Sequence, residues 1–355
     1  MKRITLLLAI FVALMIFVAC GGNNDNAPNN DTSNDTTTNG TVDNDVTTGG
    51  TITAPESHHI NMAVLPGPSA IGSLLLMDAA VVDNDAVINT YNIQVLGSPE
   101  EVGPMLAQGL IDIAAVPTNM ASVLYNNLPD GVTVLALSTM GVLHILDTTG
   151  EISSMEDLRG RTIHLSGMGA APELALNYVL TMNNLEPNVD VYLEFHGEQP
   201  QIAALLSQGV AEIALLPEPF ATTVLMQNEH VSHALDLTEE WGRVQPDYGL
   251  VMTAIVVRNA FLAENPQAIE NFLNDFAHSI SFVQNNVDGA AALAVEFGII
   301  PNENIANQAI PRTNQVFITG ADMERYIMGY LTVLHGQLPQ SVGGSLPSEN
   351  FFYRP

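Results

Sequence analysis

A long stretch of this chain occurs twice, and the second copy begins one hundred positions after the first. Residues 97–127 read GSPEEVGPMLAQGLIDIAAVPTNMASVLYNN, and residues 197–227 read GEQPQIAALLSQGVAEIALLPEPFATTVLMQ. The copies align without a gap. In the first copy the identical positions are Gly97, Leu106, Gln108, Gly109, Ile113, Ala114, Pro117 and Ala121. A repeat of this length is one supersecondary unit used twice, so we expect two similar lobes. A cleft between α/β lobes is a typical place for a small molecule to bind.

The first twenty residues predict a targeting segment. Lys2 and Arg3 precede an apolar run over residues 4–18, and Ala19 and Cys20 follow it. This order is typical of a secretory signal and resembles that of bacterial lipoproteins, in which the cysteine becomes the lipidated first residue. The alternative is a transmembrane anchor, but the run is shorter than the roughly 20 residues that a spanning helix needs. We therefore predict a signal peptide over residues 1–19 and a lipid on Cys20. The lipid would hold the protein at the extracytoplasmic face of the cell membrane.

Residues 20–55 begin with the predicted lipidated cysteine and continue as Asn, Asp, Thr and Gly with almost no apolar side chains. Such a segment buries too little surface to offset its ordering entropy, so we predict a disordered tether with a reach of roughly 30 Å. Cys20 is the only cysteine, and therefore neither a disulfide nor a cysteine-based metal site is expected. The residues that follow fit two domains of ordinary size.

The chain is strongly acidic, with 38 Asp and Glu against 9 Lys and Arg and a formal net charge of −29. Lys2 is the only lysine, and it lies in the predicted signal. Neutralising a nucleic-acid backbone requires clustered Lys and Arg, so a nucleic-acid partner is not expected. The acidity favours solubility, and we predict a monomer.

Strand-like and helix-like patterns alternate after residue 58. The predicted strands cover residues 59–65, 93–96, 111–116, 132–138, 162–165, 189–195 and 251–257. The predicted helices cover residues 70–82, 100–108, 173–182, 266–284, 287–297 and 321–334, with one more starting at 118. This alternation predicts mainly parallel sheets flanked by helices. Two segments, 141–147 and 250–257, are candidates for crossing between the lobes and would form a hinge.

Four short motifs carry a resemblance to a known family. They are LPGPS at 65–69, GLIDIAAVPTN at 109–119, DLRGRTI at 157–163 and GVAEIALLPEP at 209–219. In this order, over about residues 58–335, the chain resembles the solute-binding proteins of bacterial ABC importers. The closest group serves nitrate, sulfonate, taurine and thiamine-precursor uptake. The resemblance implies a two-lobed α/β fold of the periplasmic-binding-protein type II, with two hinge crossings. Lobe one would contain residues 56–143 and 254–355, and lobe two residues 144–253.

In that family the ligand lies where loops at strand ends face each other across the cleft. Carried over to this sequence, the resemblance implies the ligand-binding residues Pro66, Gly67, Pro68, Ser69, Thr118, Asn119, Thr139, Met140, Gly167, Met168, Gly169, Ala170 and Glu218. Two of them, Ser69 and Gly169, come just before predicted helices, whose first N–H groups are free and carry partial positive charge. Thr118 in the first repeat copy corresponds to Glu218 in the second. The two sides of the ligand are therefore expected to differ.

Several of these residues also have purely structural interpretations. Pro66 and Pro68 are typical of a turn and a helix start, and Thr118 with Asn119 is typical of a helix N-cap. The glycines at 167 and 169 lack the third glycine of a dinucleotide fingerprint. Ser166 lacks the surroundings of a nucleophile elbow, so it is interpreted as a cap. No cofactor is expected.

The histidines do not have metal-ligand spacing along the sequence. His58 and His59 are adjacent, while His196, His230 and His233 are not spaced with carboxylates as they would be on one helix face. We therefore predict no metal site. His196 follows a predicted strand, and it has two interpretations, as a residue facing the cleft or as an ordinary strand-end residue.

The function that this combination predicts is capture of a small extracellular solute and its delivery to an ABC permease in the membrane. A sulfonate or nitrate would favour Arg or Lys in the cleft loops, where none occurs, and Arg243 is the remaining candidate. Glu218 instead favours a neutral or cationic group that carries N–H donors. We predict a heteroaromatic or amine-bearing nutrient, such as a thiamine precursor, with an oxyanion as the alternative.

Two other classes of function are alternatives to solute binding. Relatives of this fold include a fungal-type pyrimidine synthase that holds pyridoxal phosphate on a lysine, and a Schiff base requires such an amine. Because Lys2 is the only lysine, that enzyme is disfavoured and no enzymatic activity is expected. The third class is a ligand sensor that passes its signal to a partner receptor.

Overall fold

The computed structural model of the protein describes residues 56–82 and 86–354, all within one compact unit that spans Thr53–Pro355. The predicted signal peptide, Cys20 and the whole of the predicted tether lie outside the described residues. Within the described part of the chain, no helix combines the length and the apolar character needed to cross a membrane.

The strands form two sheets. Their bounds in chain order are β1 (His59–Val64), β2 (Thr90–Val95), β3 (Ile113–Pro117), β4 (Val132–Met140), β5 (Leu143–Asp147), β6 (Thr162–Ser166), β7 (Tyr192–His196), β8 (Ile213–Pro217), β9 (Ser232–Asp236), β10 (Val251–Arg258) and β11 (Gln315–Ile318). Sheet one has the order β11-β4-β10-β3-β1-β2, and sheet two has the order β7-β6-β8-β5-β9. The chain therefore contains two lobes, each built on its own sheet.

The helices surround both sheets. Their bounds are α1 (Pro68–Ile71), α2 (Leu74–Ala79), α3 (Val102–Ala107), α4 (Thr118–Asn127), α5 (Ala171–Met182), α6 (Gln199–Ser207), α7 (Phe220–Gln227), α8 (Leu237–Val244), α9 (Asn259–Glu264), α10 (Pro266–Asn285), α11 (Val287–Glu296), α12 (Glu303–Ala309) and α13 (Gly320–Gln337). Pro68, Pro172 and Pro266 lie in the first turns of α1, α5 and α10, where proline costs no hydrogen bond.

The sequence repeat occupies the same place in both sheets. The first copy forms α3, β3 and α4, and the second forms α6, β8 and α7. Strand β3 lies between parallel β1 and antiparallel β10, while β8 lies between parallel β6 and antiparallel β5. In both sheets the equivalent isoleucine of the central strand, Ile113 or Ile213, pairs with the parallel neighbour. The lobes are thus related by topology as well as by sequence.

The predicted α/β architecture with two lobes is confirmed, but the strand directions differ from the expectation of mainly parallel sheets. In sheet one, β1 is parallel to β2 and β3, whereas β10 is antiparallel to β3 and β4, and β11 is antiparallel to β4. In sheet two, β6 is parallel to β7 and β8, whereas β5 is antiparallel to β8 and β9. The sheets are mixed because β5, β10 and β11 run opposite to the other strands of their sheets. Two of these reversed strands, β5 and β10, follow the crossings between lobes.

The helix predicted over residues 70–82 is broken. It forms α1 and α2, separated by Gly72 and Ser73. The carbonyl of Gly72 accepts a hydrogen bond of 2.8 Å from the hydroxyl of Ser279 in α10, and a Cβ at Gly72 would lie 2.6 Å from Gln315 Oε1. The close approach of α10 and β11 therefore interrupts the helix at Gly72, although the apolar spacing of the sequence continues beyond it. Strand β11 itself lies in a region predicted to be mostly helical.

The sheet order places the two crossings at residues 141–142, between β4 and β5, and at residues 245–250, between α8 and β10. The lobe boundaries at 143/144 and 253/254 remain a prediction. One buried apolar cluster contains side chains of both sheets, among them Ala63 and Val116 of the first and Ile163 and Leu215 of the second. The lobes consequently share part of their core.

Candidate functional site

A cavity of about 350 Å³ lies where strand ends of both sheets meet, and we call it the interlobe cavity. Its lining residues are Leu65, Pro66, Gly67, Pro68, Ser69, Pro117, Val142, Leu143, Ala171, Pro172, Gln199, Pro217, Glu218, Pro219, Phe220, Met252, Thr253 and Ile299. Strands β1, β3 and β8 all contribute from their carboxyl ends. This is the edge of an α/β sheet at which ligands usually bind.

The loop after β1 forms one wall of this cavity and contains four of the predicted site residues. Gly67 has φ +89° and ψ −141°, a region that only glycine adopts without strain. The Ser69 hydroxyl donates to the Leu65 carbonyl at 2.5 Å and accepts from the Leu65 N–H at 3.1 Å. Both hydrogen bonds of the Ser69 hydroxyl are therefore made within its own loop. Pro66 and Pro68 present an apolar surface to the cavity.

The two repeat copies contribute equivalent residues to the cavity, one from each sheet. Pro117 ends β3 and Pro217 ends β8, and both line the cavity. Next to Pro217 lies Glu218, which is only 1 % exposed. Among the described residues that line the interlobe cavity, Glu218 is the one with a charged side chain.

The Glu218 carboxylate is held in a defined position. It accepts hydrogen bonds from the Thr222 N–H at 3.2 Å and from the Thr222 hydroxyl at 2.9 Å. Its Oε1 lies 3.6 Å from His144 Nε2 and 3.8 Å from an Arg312 guanidinium nitrogen. Burial raises the pKa of Glu218, while the Thr222 hydrogen bonds and the Arg312 charge oppose that increase.

A second cavity of about 620 Å³ contains several of the remaining predicted residues, and we call it the helix-end cavity. Its lining includes Asn119, Met168, Gly169 and Ala170, and it shares Pro117, Ala171 and Pro172 with the interlobe cavity. The Asn119 side-chain amide donates to the Ser341 carbonyl at 3.0 Å. The N–H of Gly169 donates to the Glu173 carboxylate of the same helix start. This donor is therefore already occupied by an acidic side chain.

Four predicted residues line neither of these two cavities: Thr118, Thr139, Met140 and Gly167. Thr118 and Thr139 are almost fully buried. Within the described part of the chain, neither threonine hydroxyl has a hydrogen-bond partner. The predicted set thus divides into five residues at the interlobe cavity, four at the helix-end cavity and four outside both.

Behind Glu218 lies a third, polar cavity of about 510 Å³, which we call the charged cavity. Its lining residues are His144, Ser153, His233, Ala234, Leu235, Asp236, Glu239, Glu240, Arg243, Pro311, Arg312 and Asn314. Since His144 and Arg312 contact Glu218, this carboxylate connects the charged cavity with the interlobe cavity. His144 and Arg312 were not predicted from the sequence, because no motif marks them and only the folded chain brings them to Glu218.

His144 has an unusual environment in the charged cavity. Its Nδ1 lies 2.9 Å from His233 Nε2 and 3.8 Å from Asp236 Oδ2. Burial lowers the pKa of His144 to about 4; the Asp236 charge raises the pKa, whereas His233 and Arg312 lower it. The ring is therefore neutral at pH 7.

Arg243, the predicted cation for an anionic ligand, also lines this cavity, where it pairs with Glu239 and Glu240.

Two groups of histidines and carboxylates have the mutual distances of metal ligands. One is His144 with His233 and Asp236, and the other is His164 with Glu194 and His196. Neither group has the spacing of metal ligands on one helix face, which was the basis of the prediction that no metal site is present. Here, neighbouring strands bring the histidines together, which spacing along the chain does not reveal.

No family model matches the sequence, and no curated protein matches it either. Solved structures do resemble the protein. An ABC transporter from Parabacteroides distasonis has a TM-score of 0.69 at 21 % identity, with 83 % of this chain and 98 % of that chain covered. The periplasmic aliphatic sulphonate binding protein SsuA from Escherichia coli has a TM-score of 0.66 at 13 % identity, with 84 % and 96 % covered.

The periplasmic nitrate-binding protein NrtA from Synechocystis PCC 6803 is similar over 79 % of this chain and 82 % of that chain, with a TM-score of 0.57 and 14 % identity. Solute-binding proteins of ABC importers are also the group that the four sequence motifs resemble. At such identities the likeness concerns the fold. The protein therefore has the two-lobed fold of ABC-transporter solute-binding proteins, as the sequence analysis predicted.

Proposed function

We propose that the protein is the extracytoplasmic solute-binding component of an ABC importer, which captures a small nutrient between its lobes and delivers it to a membrane permease. The observation that carries this proposal is the interlobe cavity, whose walls come from strand ends of both sheets. Closure of two lobes about a ligand converts binding into a change of shape that a permease can recognise. No bond is made or broken in this function, and the protein acts as a monomer anchored by a lipid on Cys20.

We further propose that the solute is a heteroaromatic or amine-bearing compound, such as a thiamine precursor. The cavity volume of about 350 Å³ suits a small ring. Proline side chains and Phe220 offer apolar surface for the faces of such a ring. The buried Glu218 carboxylate offers acceptors for an N–H or a cationic group.

An anionic solute is the alternative within the same class. None of the described residues that line the interlobe cavity is Arg, Lys or His, and the Gly169 N–H at the helix start is already bonded to Glu173. These observations support a cationic or neutral solute over a sulfonate or nitrate. A pyridoxal-phosphate enzyme is disfavoured because Lys2 is the only lysine of the chain.

The first test is a thermal-shift screen of the purified protein against thiamine precursors, nucleobases, amines, sulfonates and nitrate. A ligand at 100-fold its dissociation constant stabilises the native state by roughly 2.7 kcal/mol, which is a readily measured shift. We expect a selective response to a pyrimidine or an amine. A selective response to a sulfonate or nitrate would retain the solute-binding function and overturn the proposed ligand class.

The substitution Glu218→Gln tests the carboxylate directly. It keeps the size of the side chain and removes the charge, so the affinity for the identified solute should fall roughly tenfold or more. Glu212→Gln is the matched control, because Glu212 belongs to the same repeat copy and is exposed. Calorimetric titration of both variants measures the difference. An unchanged affinity in the Glu218 variant would contradict the assigned role.

A further inference from the structure

Three side chains on adjacent parallel strands of sheet two converge on one point. His164 lies on β6, and Glu194 and His196 lie on β7. His164 pairs with Glu194 in the strand register. Since side chains two residues apart point to the same face of a strand, His196 lies on that face as well. Strand β7 is the edge of the sheet, so the cluster is reachable from solvent.

The distances between the polar atoms match a metal site. His164 Nδ1 is 2.9 Å from His196 Nε2 and 3.8 Å from Glu194 Oε1. His196 Nε2 is 3.7 Å from Glu194 Oε1. A tetrahedral Zn²⁺ with bonds of about 2.0–2.1 Å holds its ligand atoms roughly 3.3 Å apart. Movements of a few tenths of an ångström would therefore place all three atoms around one ion.

The exposures of the three side chains suit the same role. The histidine side chains are each 11 % exposed, so their positions are fixed by packing. The Glu194 side chain is 58 % exposed and is free to adjust to an ion. An ion bound there would keep at least one position open to water, since the protein offers three ligands.

The surrounding charges distinguish this cluster from the one in the charged cavity. Among the described residues, Glu194 forms ion-pair contacts with His164 and His196 but not with any arginine. By contrast, the cluster of His144, His233 and Asp236 shares its cavity with Arg243 and Arg312, whose positive charges disfavour a bound cation. The β6–β7 cluster is thus the better cation site.

The internal repeat shows that the cluster is specific to sheet two. In sheet one the equivalent register positions hold Ala63, Gln94 and Leu96, because Ala63 pairs with Gln94 in β2 as His164 pairs with Glu194 in β7. Neither an alanine nor a leucine is able to bind a metal. All three ligand-type residues therefore occur in one lobe of a symmetric pair, where the shared fold does not require them.

We propose that the protein carries a binding site for a divalent transition-metal ion such as Zn²⁺, formed by His164, Glu194 and His196. Two imidazoles and one carboxylate are a donor set that binds Zn²⁺, Ni²⁺ and Cu²⁺ and discriminates against Mg²⁺. None of the three residues lines the interlobe cavity, so the site is separate from the proposed solute site. The ion links edge strand β7 to β6 and stabilises lobe two.

The test uses purified protein without a histidine tag, freed of metal with a chelator and titrated calorimetrically with ZnCl₂, and with MgCl₂ as the comparison. We expect one Zn²⁺ per chain and no response to Mg²⁺. Zn²⁺ should also raise the melting temperature, because it binds only the native cluster. Cu²⁺ bound to the protein should show couplings to two nitrogens in electron paramagnetic resonance.

The variants His196→Gln and Glu194→Gln should each lower the Zn²⁺ affinity at least tenfold, and the former should leave one nitrogen on Cu²⁺. Far-UV circular dichroism verifies that they are folded. His230→Gln is the matched control, because His230 is exposed in the same lobe. His233→Gln probes the other cluster, and His58→Gln combined with His59→Gln measures the background from the adjacent pair.

Three results would overturn the proposal. The first is a wild-type protein whose dissociation constant for Zn²⁺ is higher than about 100 µM. The second is unchanged affinity in both the His196 and the Glu194 variants. The third is loss of binding in the His233 variant alone, which would assign the ion to the charged cavity instead.

Discussion

Glu218 and Thr118 occupy equivalent positions of the two repeat copies, yet their surroundings are unlike. The Glu218 carboxylate bonds with Thr222 and lies near His144 and Arg312. The Thr118 hydroxyl is buried without a hydrogen-bond partner among the described residues. At the scale of single residues, the repeat therefore gives the two copies the same backbone positions. The different side chains at these positions make the two sides of the proposed solute site unlike.

Asp147, at the end of β5, is a buried carboxylate whose pKa is set by hydrogen bonds within its own turn. It is fully buried and accepts hydrogen bonds from the Thr149 N–H and hydroxyl, both at 2.8 Å, and from the N–H groups of Glu151 at 3.1 Å and Ile152 at 3.3 Å. Burial acts to raise the pKa of Asp147, but these hydrogen bonds outweigh it and lower the pKa below its usual 3.8.

The substitution Asp147→Asn should destabilise the protein by about 1–3 kcal/mol at pH 7, since the amide cannot replace a charged acceptor for four donors. A carboxyl whose pKa is lowered in the folded state stabilises it above the ordinary pKa, and this contribution is lost as the pH falls. The difference in the free energy of unfolding between wild type and variant should therefore be constant above about pH 5 and shrink below pH 4. Urea unfolding at several pH values across this range measures that difference.

Asp130→Asn is the control for that measurement, because Asp130 is exposed and its replacement should change stability little. A difference between wild type and the Asp147 variant that stays constant down to pH 3 would contradict the assigned cause.

Among the elements, the turn between the first helix and the strand of each repeat copy explains a sequence identity. Gly109 follows α3 and Gly209 follows α6, with φ values of +67° and +66°. Each ends its helix in the left-handed region, where a Cβ is strained. The two copies therefore share this glycine because the same helix end is built twice.

The substitution Gly209→Ala should destabilise the protein by about 1 kcal/mol. A Cβ at Gly209 meets no atom within 4 Å, so backbone conformation alone causes the loss. The matched control is Gly242→Ala in α8, which also has open space but lacks a positive φ. There alanine should stabilise the helix by about 0.5–1 kcal/mol. Chemical denaturation of both variants checks these opposite signs, and equal effects would contradict the explanation.

For the whole molecule, the shared core decides how independently the lobes behave. Trp241 of α8 is fully buried and packs against Tyr178 of α5 and Tyr330 of α13. Its indole N–H donates to the Tyr248 carbonyl at 3.1 Å. Because the lobes share this apolar cluster, unfolding one lobe exposes part of the core of the other.

We expect the protein to unfold in one cooperative transition, with equal calorimetric and van't Hoff enthalpies. Trp241 is the only tryptophan, so its fluorescence reports on the shared cluster, whereas circular dichroism reports on all elements. The two signals should change at the same temperature. Two resolved transitions, or fluorescence that changes before circular dichroism, would show that the lobes unfold separately.

The extent of sequence-based prediction differed between fold and site. The repeat and the alternation of strands and helices were sufficient for the two lobes, because local patterns reflect which face of an element is buried. Strand direction was not predictable, because β5 and β10 acquire their partners only when the chain crosses between lobes. The break after Ile71 likewise depends on α10, more than 190 residues away in sequence.

By itself the sequence determined the two-lobed α/β class, the strand-end loops and the strongly acidic character of the protein, all of which follow from local pattern or composition. Only the tertiary structure decided which side chains meet: His144 and Arg312 with Glu218, and His164 with Glu194 and His196. The physical reason is that these contacts arise from strand pairing and lobe packing. Residues far apart along the chain become neighbours there without any spacing that a sequence pattern could record.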